Sequence, residues 1–395
     1  MNTKYNFIKK AGVVLFVISA IFALSGFSVQ AQTLALQPYL QNPAADAMTV
    51  MWRTTDLSYS RIEFGTDTTN LKVARTVKNG IVVANITQHK VRIEGLQPNT
   101  KYFYRICSQK VINYKSSSKE FGAEKRSEFF SFTTLGTESK YFTCIIFNDL
   151  HDNLTLFDKL MKQVHAQGIH YDFSIFNGDI FHNPPSEKQI LNTITGYNKG
   201  ADAANKPAIY LRGNHETRGA YALGWPDFFD WDGGNNYFAF SYGDTRFVFL
   251  DNGEDKSDGR PEYFGLVDFD EFRNTQTEWL KKELASDEFK NAFRKILVHH
   301  IPIYSWESPY DPGFMPCFDL WDPIFRTAPF DIDITGHLHE FKFYPTNAVN
   351  NPYPLVVGGG KTEKDGRVLV LIKRGNALTL KSINCAGNVE TFNIR

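Results

Sequence analysis

The sequence predicts two domains. Residues 34–135 read as an all-β sandwich, and residues 141–395 as an α/β (α+β sandwich) core of two mixed sheets flanked by helices. Three observations carry this. Short alternating runs bounded by turn residues fill Leu34 to about Leu135, which reads as all-β. From Tyr141 the pattern changes to apolar runs alternating with stretches of helical spacing. Five of those runs end abruptly in Asp, Asn or His, as strands do when their carboxyl ends line one crevice of an α/β sheet.

In the first domain Met48–Arg53 alternates toward Trp52, and Arg61–Phe64 and His89–Ile93 are further short strands. Gly95 to Tyr104 is a turn leading into a strand, Phe129–Thr134 closes the domain, and residues 136–140 form a polar linker. In the second domain Leu154–Gln167 carries apolar residues at helical spacing. Thr275–Leu284 is another helix, with Trp279, Leu280 and Leu284 facing one way. Tyr237–Tyr242 and Arg246–Leu250 form a hairpin around Gly243-Asp244. Pro354–Gly358, Arg367–Lys373 and Ala377–Ile383 are late strands that complete a second sheet.

The 395 residues suffice for two sizeable cores, composition is that of an ordinary globular chain, and there is no repeat of solenoid period. Residues 1–31 read as a cleaved export signal. Lys4, Lys9 and Lys10 precede an apolar stretch from Ala11 to Phe27, and Val29-Gln30-Ala31 fits a small-x-small cleavage site. A retained anchor is the alternative, but the apolar stretch is slightly short for a span. The expected product is periplasmic or secreted, with no membrane span once the signal is removed. Cleavage leaves 40 basic against 43 acidic residues, a charge of −3, which offers no general field for nucleic acid or anionic membrane. The four cysteines are far apart and lack metal spacing. Cys144 lies in an apolar strand as a core residue, and pairing of Cys317 with Cys385 in an exported protein stays open.

The five strand ends hold the chemistry. Tyr141–Phe147 runs into Asn148-Asp149-Leu150-His151, Phe173–Phe176 into Asn177-Gly178-Asp179, and Ala208–Leu211 into Gly213-Asn214-His215-Glu216. Lys295–Val298 runs into His299-His300-Ile301-Pro302, and Asp331–Thr335 into Gly336-His337-Leu338-His339. Taken singly, an Asp or His at a strand end is a cap or turn residue, and Gly-Asn is a turn. Taken together they supply oxygen and nitrogen donors without thiolate, which suits paired divalent or trivalent metals. His299 and His300 are adjacent, so only one need point inward.

The five motifs, Asp-x-His, Gly-Asp, Gly-Asn-His-Glu, His-x-Pro and Gly-His-x-His, occur in the order seen in the calcineurin-like metallophosphoesterase superfamily, which the chain resembles over nearly all of 141–345. Leu96-x-Pro98-x-Thr100-x-Tyr102 resembles the corner of a fibronectin type III sandwich, where a tyrosine ties its hydroxyl to nearby backbone. That pairing of domains is similar to purple acid phosphatases and their bacterial relatives. The resemblance implies a phosphoric ester hydrolase with two metal ions, Fe, Zn or Mn. Asp179 would bridge them. Asp149, His151 and His339 would complete the first metal, and Asn214, His300 and His337 the second. A hydroxide held between the metals would attack phosphorus in line, and His215 would contact the phosphoryl group or protonate the leaving oxygen. Glu216 would orient His215. His300 rather than His299 precedes x-Pro, and strand alternation sends His299 to the opposite side. Gly178, Gly213 and Gly336 would let the backbone turn sharply beside the metals.

One position departs from the purple enzymes. Their iron-binding tyrosine, three residues after the bridging aspartate, is here His182, so ferric-tyrosinate chemistry is not expected. His182 reads either as a substrate or supporting contact or as a solvated loop residue. The expected substrate is a small phosphomonoester. The alternatives are phosphodiesters of nucleotides or lipid head groups and, from another class, a non-catalytic binding module. The aromatic stretches Tyr221–Trp231 and Trp306–Phe325 (Tyr310, Phe314, Phe318, Trp321) read first as loop packing, second as stacking on a nucleobase or aryl group. The sandwich has two roles open to it, lending a loop to the site or mediating a homodimer.

Overall fold

The computed structural model describes residues 34–304 and 316–394, so the export segment lies outside the described residues, as do Trp306, Tyr310 and Phe314. The N-terminal domain is built around one long strand. Met48–Arg53 and Arg61–Phe64, expected as separate strands, are two halves of Met48–Gly65. Its first half pairs with Leu34–Gln41 and Ile86–Ile93, its second with Lys72–Ala74 and Lys101–Tyr114, and the pairing register breaks between Arg53 and Ser58. Such an irregularity lets one strand turn a corner and serve both layers, a join that alternation within each half does not reveal. The Tyr102 hydroxyl accepts the Gln97 N–H at 3.0 Å, the corner contact the motif predicts.

The second domain has two six-stranded sheets. In the first, Tyr141–Phe147, Phe173–Asn177 and Ala208–Leu211 run parallel, and Arg367–Arg374, Ala377–Asn384 and Val389–Ile394 extend it antiparallel. In the second, Thr245–Phe249, Arg294–Val298, Ile332–Thr335 and Leu355–Gly359 run parallel, with Phe238–Tyr242 and Glu340–Tyr344 antiparallel at the edges. Successive side chains of a strand point to opposite faces. In Arg294–Val298, accordingly, Ile296 and Val298 join the large inter-sheet cluster with Phe247, Phe249 and Ile334. Leu297 joins the outer cluster with Leu280, Trp321 and Phe325 of the helices Phe269–Ala285 and Pro316–Phe325. On the first sheet's outer face lies the helix Leu154–Ala166. Asn153 caps it through Oδ1 and the Leu156 N–H, and Leu156, Leu160 and Val164 are buried one turn apart. Within Tyr221–Trp231 the residues Trp225, Phe228, Phe229 and Trp231 pack inward, and so does Trp321. All four cysteines are free thiols. Cys317 belongs to the outer cluster and Cys385 packs against the inter-sheet one, so they form no pair.

The domains share a core. Leu36, Tyr39, Met51 and Leu135 of the sandwich belong to the inter-sheet cluster of the second domain. Tyr39 donates to the Phe228 carbonyl at 2.6 Å, Tyr104 to Ala204 O at 2.6 Å, and Thr49 to Asp230 at 2.7 Å. The sandwich therefore braces residues 203–230, the stretch that carries His215.

His89 is a buried titration point of the sandwich. Its ring stacks on Trp52 at 5.1 Å, and Nε2 lies 3.1 Å from Thr54 Oγ1 and 3.3 Å from Ser60 Oγ. Burial, aided by the charge of Arg53, pushes its pKa down to about 4 from 6.5. The native state thus refuses a proton that the unfolded chain accepts below pH 6.5. The stabilisation is complete above that pH and is lost as pH falls toward 4, a difference of about 3 kcal/mol. Urea titrations of wild type and His89→Gln between pH 4 and 8 should show their stability difference flat above pH 6.5 and shrinking below it. A difference that is independent of pH refutes the assignment.

Candidate metal centre

Parallel strands of both sheets end at the same rim, and the loops leaving them place the seven candidate ligands together. Donor atoms of Asp149, His151, Asp179 and His339 form one group, and those of Asp179, His300 and His337 another, with Asp179 common to both. His300 Nε2 lies 3.2 Å from Asp179 Oδ2 and 3.7 Å from Asp149 Oδ1. His339 Nε2 is 3.4 Å from Asp149 Oδ1 and 3.0 Å from His151 Nε2, and His151 Nε2 is 3.7 Å from Asp179 Oδ2. Asn214 Oδ1 lies 3.0 Å from His337 Nδ1. Asp149, Asp179, Asn214 and His300 are buried, and His339 is the most accessible of the seven.

The backbone is unusual at these positions. Asp149, His151, Asp179, His337 and His339 all have positive φ, between 45° and 70°. A non-glycine residue there costs on the order of 1–3 kcal/mol, and such conformations persist only where the surroundings enforce them. Backbone bonds between loops do so here. Asp149 N–H donates to Gly178 O and His151 N–H to Asp179 O, at 3.2 and 2.9 Å, while His337 N–H donates to Asp149 Oδ2 at 2.8 Å. Of the three glycines only Gly178 has positive φ, at 78°. Gly213 and Gly336 are needed for space instead, since a Cβ would stand 2.4 Å from Asp179 Oδ1 or 2.6 Å from Asp149 Oδ2.

His300 Nδ1 lies 2.8 Å from the Asn177 carbonyl, so Nδ1 carries the proton and Nε2 faces the carboxylates. His299 points away, as alternation requires. Its ring meets Trp321 and Phe325, with Nδ1 2.9 Å from Ile301 O and Nε2 3.0 Å from Asp333. Glu216 does not orient His215. Its carboxylate turns back under the Gly178-Asp179 loop and accepts the N–H groups of Asp179, Ile180, Phe181 and Gly213 at 2.7–3.0 Å. The 3₁₀ turn His215–Thr217 sends neighbouring side chains in different directions. His215 packs instead between His182, stacked at 5.0 Å, and Arg218, whose Nη1 is 3.4 Å from His215 Nε2. His182 Nδ1 also lies 3.2 Å from His151 Nδ1, so His182 belongs to the cluster's edge.

Sequence reasoning missed the group that holds Arg218. Its guanidinium bonds buried Glu254 through Nε and Nη2, each at 2.7 Å, and Asp255 at 2.8 Å, and Asp255 comes within 3.9 Å of His337 Nε2. These acids lie in a loop without motif character, and only the fold brings them to the site.

Electrostatics reflect two carboxylates buried together. Burial raises Asp149. It would raise Asp179 too, but the charge of His300 close by outweighs it and holds Asp179 well below the usual range. Burial opposes charge on His300, yet Asp179 and Asp149 lift it to about 10. His151 and His337 fall to about 3 and His215 to about 4, in each case chiefly by burial. Glu216 rises to about 8 through burial and then the charge of Asp179. The donor set fits cations. Asp149 Oδ1 and His300 Nε2 are buried without completing a hydrogen bond, every donor is oxygen or nitrogen, and two carboxylates face several imidazoles.

Glu216→Gln replaces an acceptor that serves four backbone N–H groups by an amide whose NH₂ must face some of them. Unfolding titrations should show a loss of about 2–3 kcal/mol, the scale for stranding buried donors. A loss below about 0.5 kcal/mol would show that the loop does not depend on this carboxylate.

Residues 35–134 match the model of the purple acid phosphatase N-terminal domain, and residues 142–341 that of the calcineurin-like phosphoesterases. Among solved structures, purple acid phosphatase PPD1 from yellow lupin (Lupinus luteus) seeds superposes with a TM-score of 0.67 at 17% identity, over 92% of this chain and 74% of that one. PhoD superposes with a TM-score of 0.60 at 13% identity, over 92% and 90%. No curated protein matches the sequence. The second match runs from the first strand of the two-sheet domain past the last histidine pair, and with it the chain belongs to the calcineurin-like phosphoesterase family, as a metal-dependent phosphoesterase of the purple-acid-phosphatase-like kind.

Proposed function

We propose that this protein is an exported phosphomonoesterase that works with two metal ions. The observation that supports this best is the sharing of Asp179 between two donor groups, one with Asp149, His151 and His339, the other with His300 and His337. Asp179 would then serve both ions, and Asn214, beside His337, would join the second set. Fe, Zn and Mn all suit oxygen and imidazole donors. When bound, such ions neutralise charge on phosphate oxygens and lower the pKa of coordinated water. Export rests on residues 1–31 of the sequence alone.

The chain's own residues prepare the site before any ester arrives. Asp149 and Asp179 are held by backbone contacts in one orientation, so little reorganisation is left for binding. His300 has its Nδ1–H anchored on the Asn177 carbonyl, which turns Nε2 toward the carboxylates. The backbone N–H of His215 donates to Asp179 Oδ1 at 2.9 Å, and its ring lies between His182 and Arg218. From there its imidazole is the group we assign to hold a phosphoryl oxygen or deliver a proton to the leaving oxygen. Arg218 steadies that ring from one side, and its own charge is balanced by Glu254 and Asp255.

Asp179→Asn should keep the fold and abolish both bound metal and hydrolysis of para-nitrophenyl phosphate, with kcat/KM down by about a thousandfold or more. Metal analysis and kinetics on the same preparation check it. Undiminished turnover by metal-depleted Asp179→Asn protein would sink the two-metal reading, and faster hydrolysis of the bis-para-nitrophenyl ester by wild type would move the substrate class to diesters.

A further inference from the structure

Beside the metal cluster lies a cavity of about 650 Å³, in the range of small-molecule sites. Two loops wall it. One runs through Gly219 to Leu223 and is tied back where Tyr221 N–H donates to Pro184 O at 3.1 Å. The other carries Tyr263, Phe264 and Leu266, with Leu266 N–H donating to Tyr263 O at 2.9 Å. Arg218 lines the inner end, one contact away from His215.

Two features of this cavity lack a structural explanation. Leu223 is 97% exposed and Phe264 and Leu266 are 85% exposed, and these are the three most exposed large apolar side chains among the described residues. All three line this one cavity. Such clustering beside a site marks a binding surface more often than chance exposure does. Phe264 also has φ of +52°, an outlying conformation for a bulky residue, and it holds the ring outward at the rim. The polar groups at the inner end offer no spare charge. Arg218 is paired with Glu254 and Asp255, and Lys256 bonds Asp255 at 2.8 Å. Among the described residues a polyphosphate or a second phosphate would find no free cation there, whereas an uncharged apolar group would find Leu223, Phe264 and Leu266 waiting.

We infer that this cavity receives the leaving group of the substrate, and that the preferred substrates are phosphate monoesters of alcohols bearing a bulky apolar group, such as an aryl ring. The inference rests on the phosphatase reading above and adds the substrate class. It gives the Gly219–Leu223 and Tyr263–Leu266 loops the role of specificity determinants. They sort esters by the part that departs, while the metal cluster acts on the part all esters share.

The test compares kcat/KM for 1-naphthyl phosphate and for glycerol 2-phosphate. Wild type should favour the naphthyl ester by about tenfold or more, and Leu223→Asp combined with Leu266→Asp should cut that ratio about tenfold, the scale of losing one good apolar contact. Both side chains are too exposed to support the core. Leu223→Ser alone, which should lower the ratio in the same direction, guards against an effect of added charge. A wild-type ratio near one, or a ratio within twofold of wild type in both variants, overturns the pocket and leaves the phosphatase reading standing. If wild type hydrolyses neither ester, the phosphatase reading fails, and the pocket is judged by fluorescence titration with 1-naphthyl phosphate. A Kd raised about tenfold in the double variant supports it, and an unchanged Kd or no binding at millimolar ester refutes it.

Discussion

The structure turns on two carboxylates, Asp149 and Asp179, buried at the junction of two sheets. Placing like charges in a dry interior costs several kcal/mol per ion unless opposite charge stands close. Every nearby feature answers that demand. His300 reaches both carboxylates from a buried strand end, His151 and His339 close in from two loops, and backbone N–H groups occupy the remaining oxygens. Glu216, buried beneath, adds a third acid, which is tolerable because four amide groups surround it. The arrangement gathers donors that fit cations, within walls that the fold itself holds in place.

Holding these groups requires backbone shapes that a free chain avoids. Five of the seven candidate ligands stand in the left-handed region, and two glycines survive only because a methyl group would strike a carboxylate. The two-sheet sandwich sustains this strain because one continuous buried cluster joins its sheets. The site is therefore a place where local preference yields to global packing, as functional sites commonly are.

Much of this was legible in the sequence. The strands Tyr141–Phe147 and Ala208–Leu211 fall where apolar runs placed them, because strands buried on both faces hold few polar and no charged residues and so mark their own ends. The outward turn of His299 followed from the period of two. Other features needed the fold. The union of Met48–Arg53 with Arg61–Phe64 crosses an irregular stretch that breaks alternation, and pairing order within a sheet leaves no local trace. Adjacency of Glu216 to His215 says nothing about direction on a tight turn, and the carboxylate faces the Gly178-Asp179 loop instead. Glu254 and Asp255 carry no local signal, because acids in a polar loop are ordinary until the fold sets Arg218 between them. The left-handed backbone was invisible too, since aspartate and histidine tolerate that region without requiring it.

The polar linker at residues 136–140 marks a boundary in the chain that the packing does not respect. Leu36, Tyr39, Met51 and Leu135 lie in one apolar cluster with Phe147, Trp225 and Phe228, and the sandwich bonds the stretch from Ala203 to Asp230. Cutting at the linker would uncover an apolar face on each fragment and release the support behind His215. Exchange of either domain for a foreign partner would require rebuilding the surface between them. Substitutions in the sandwich that never approach the metal cluster will be selected, in part, for what they do to the loop that carries His215.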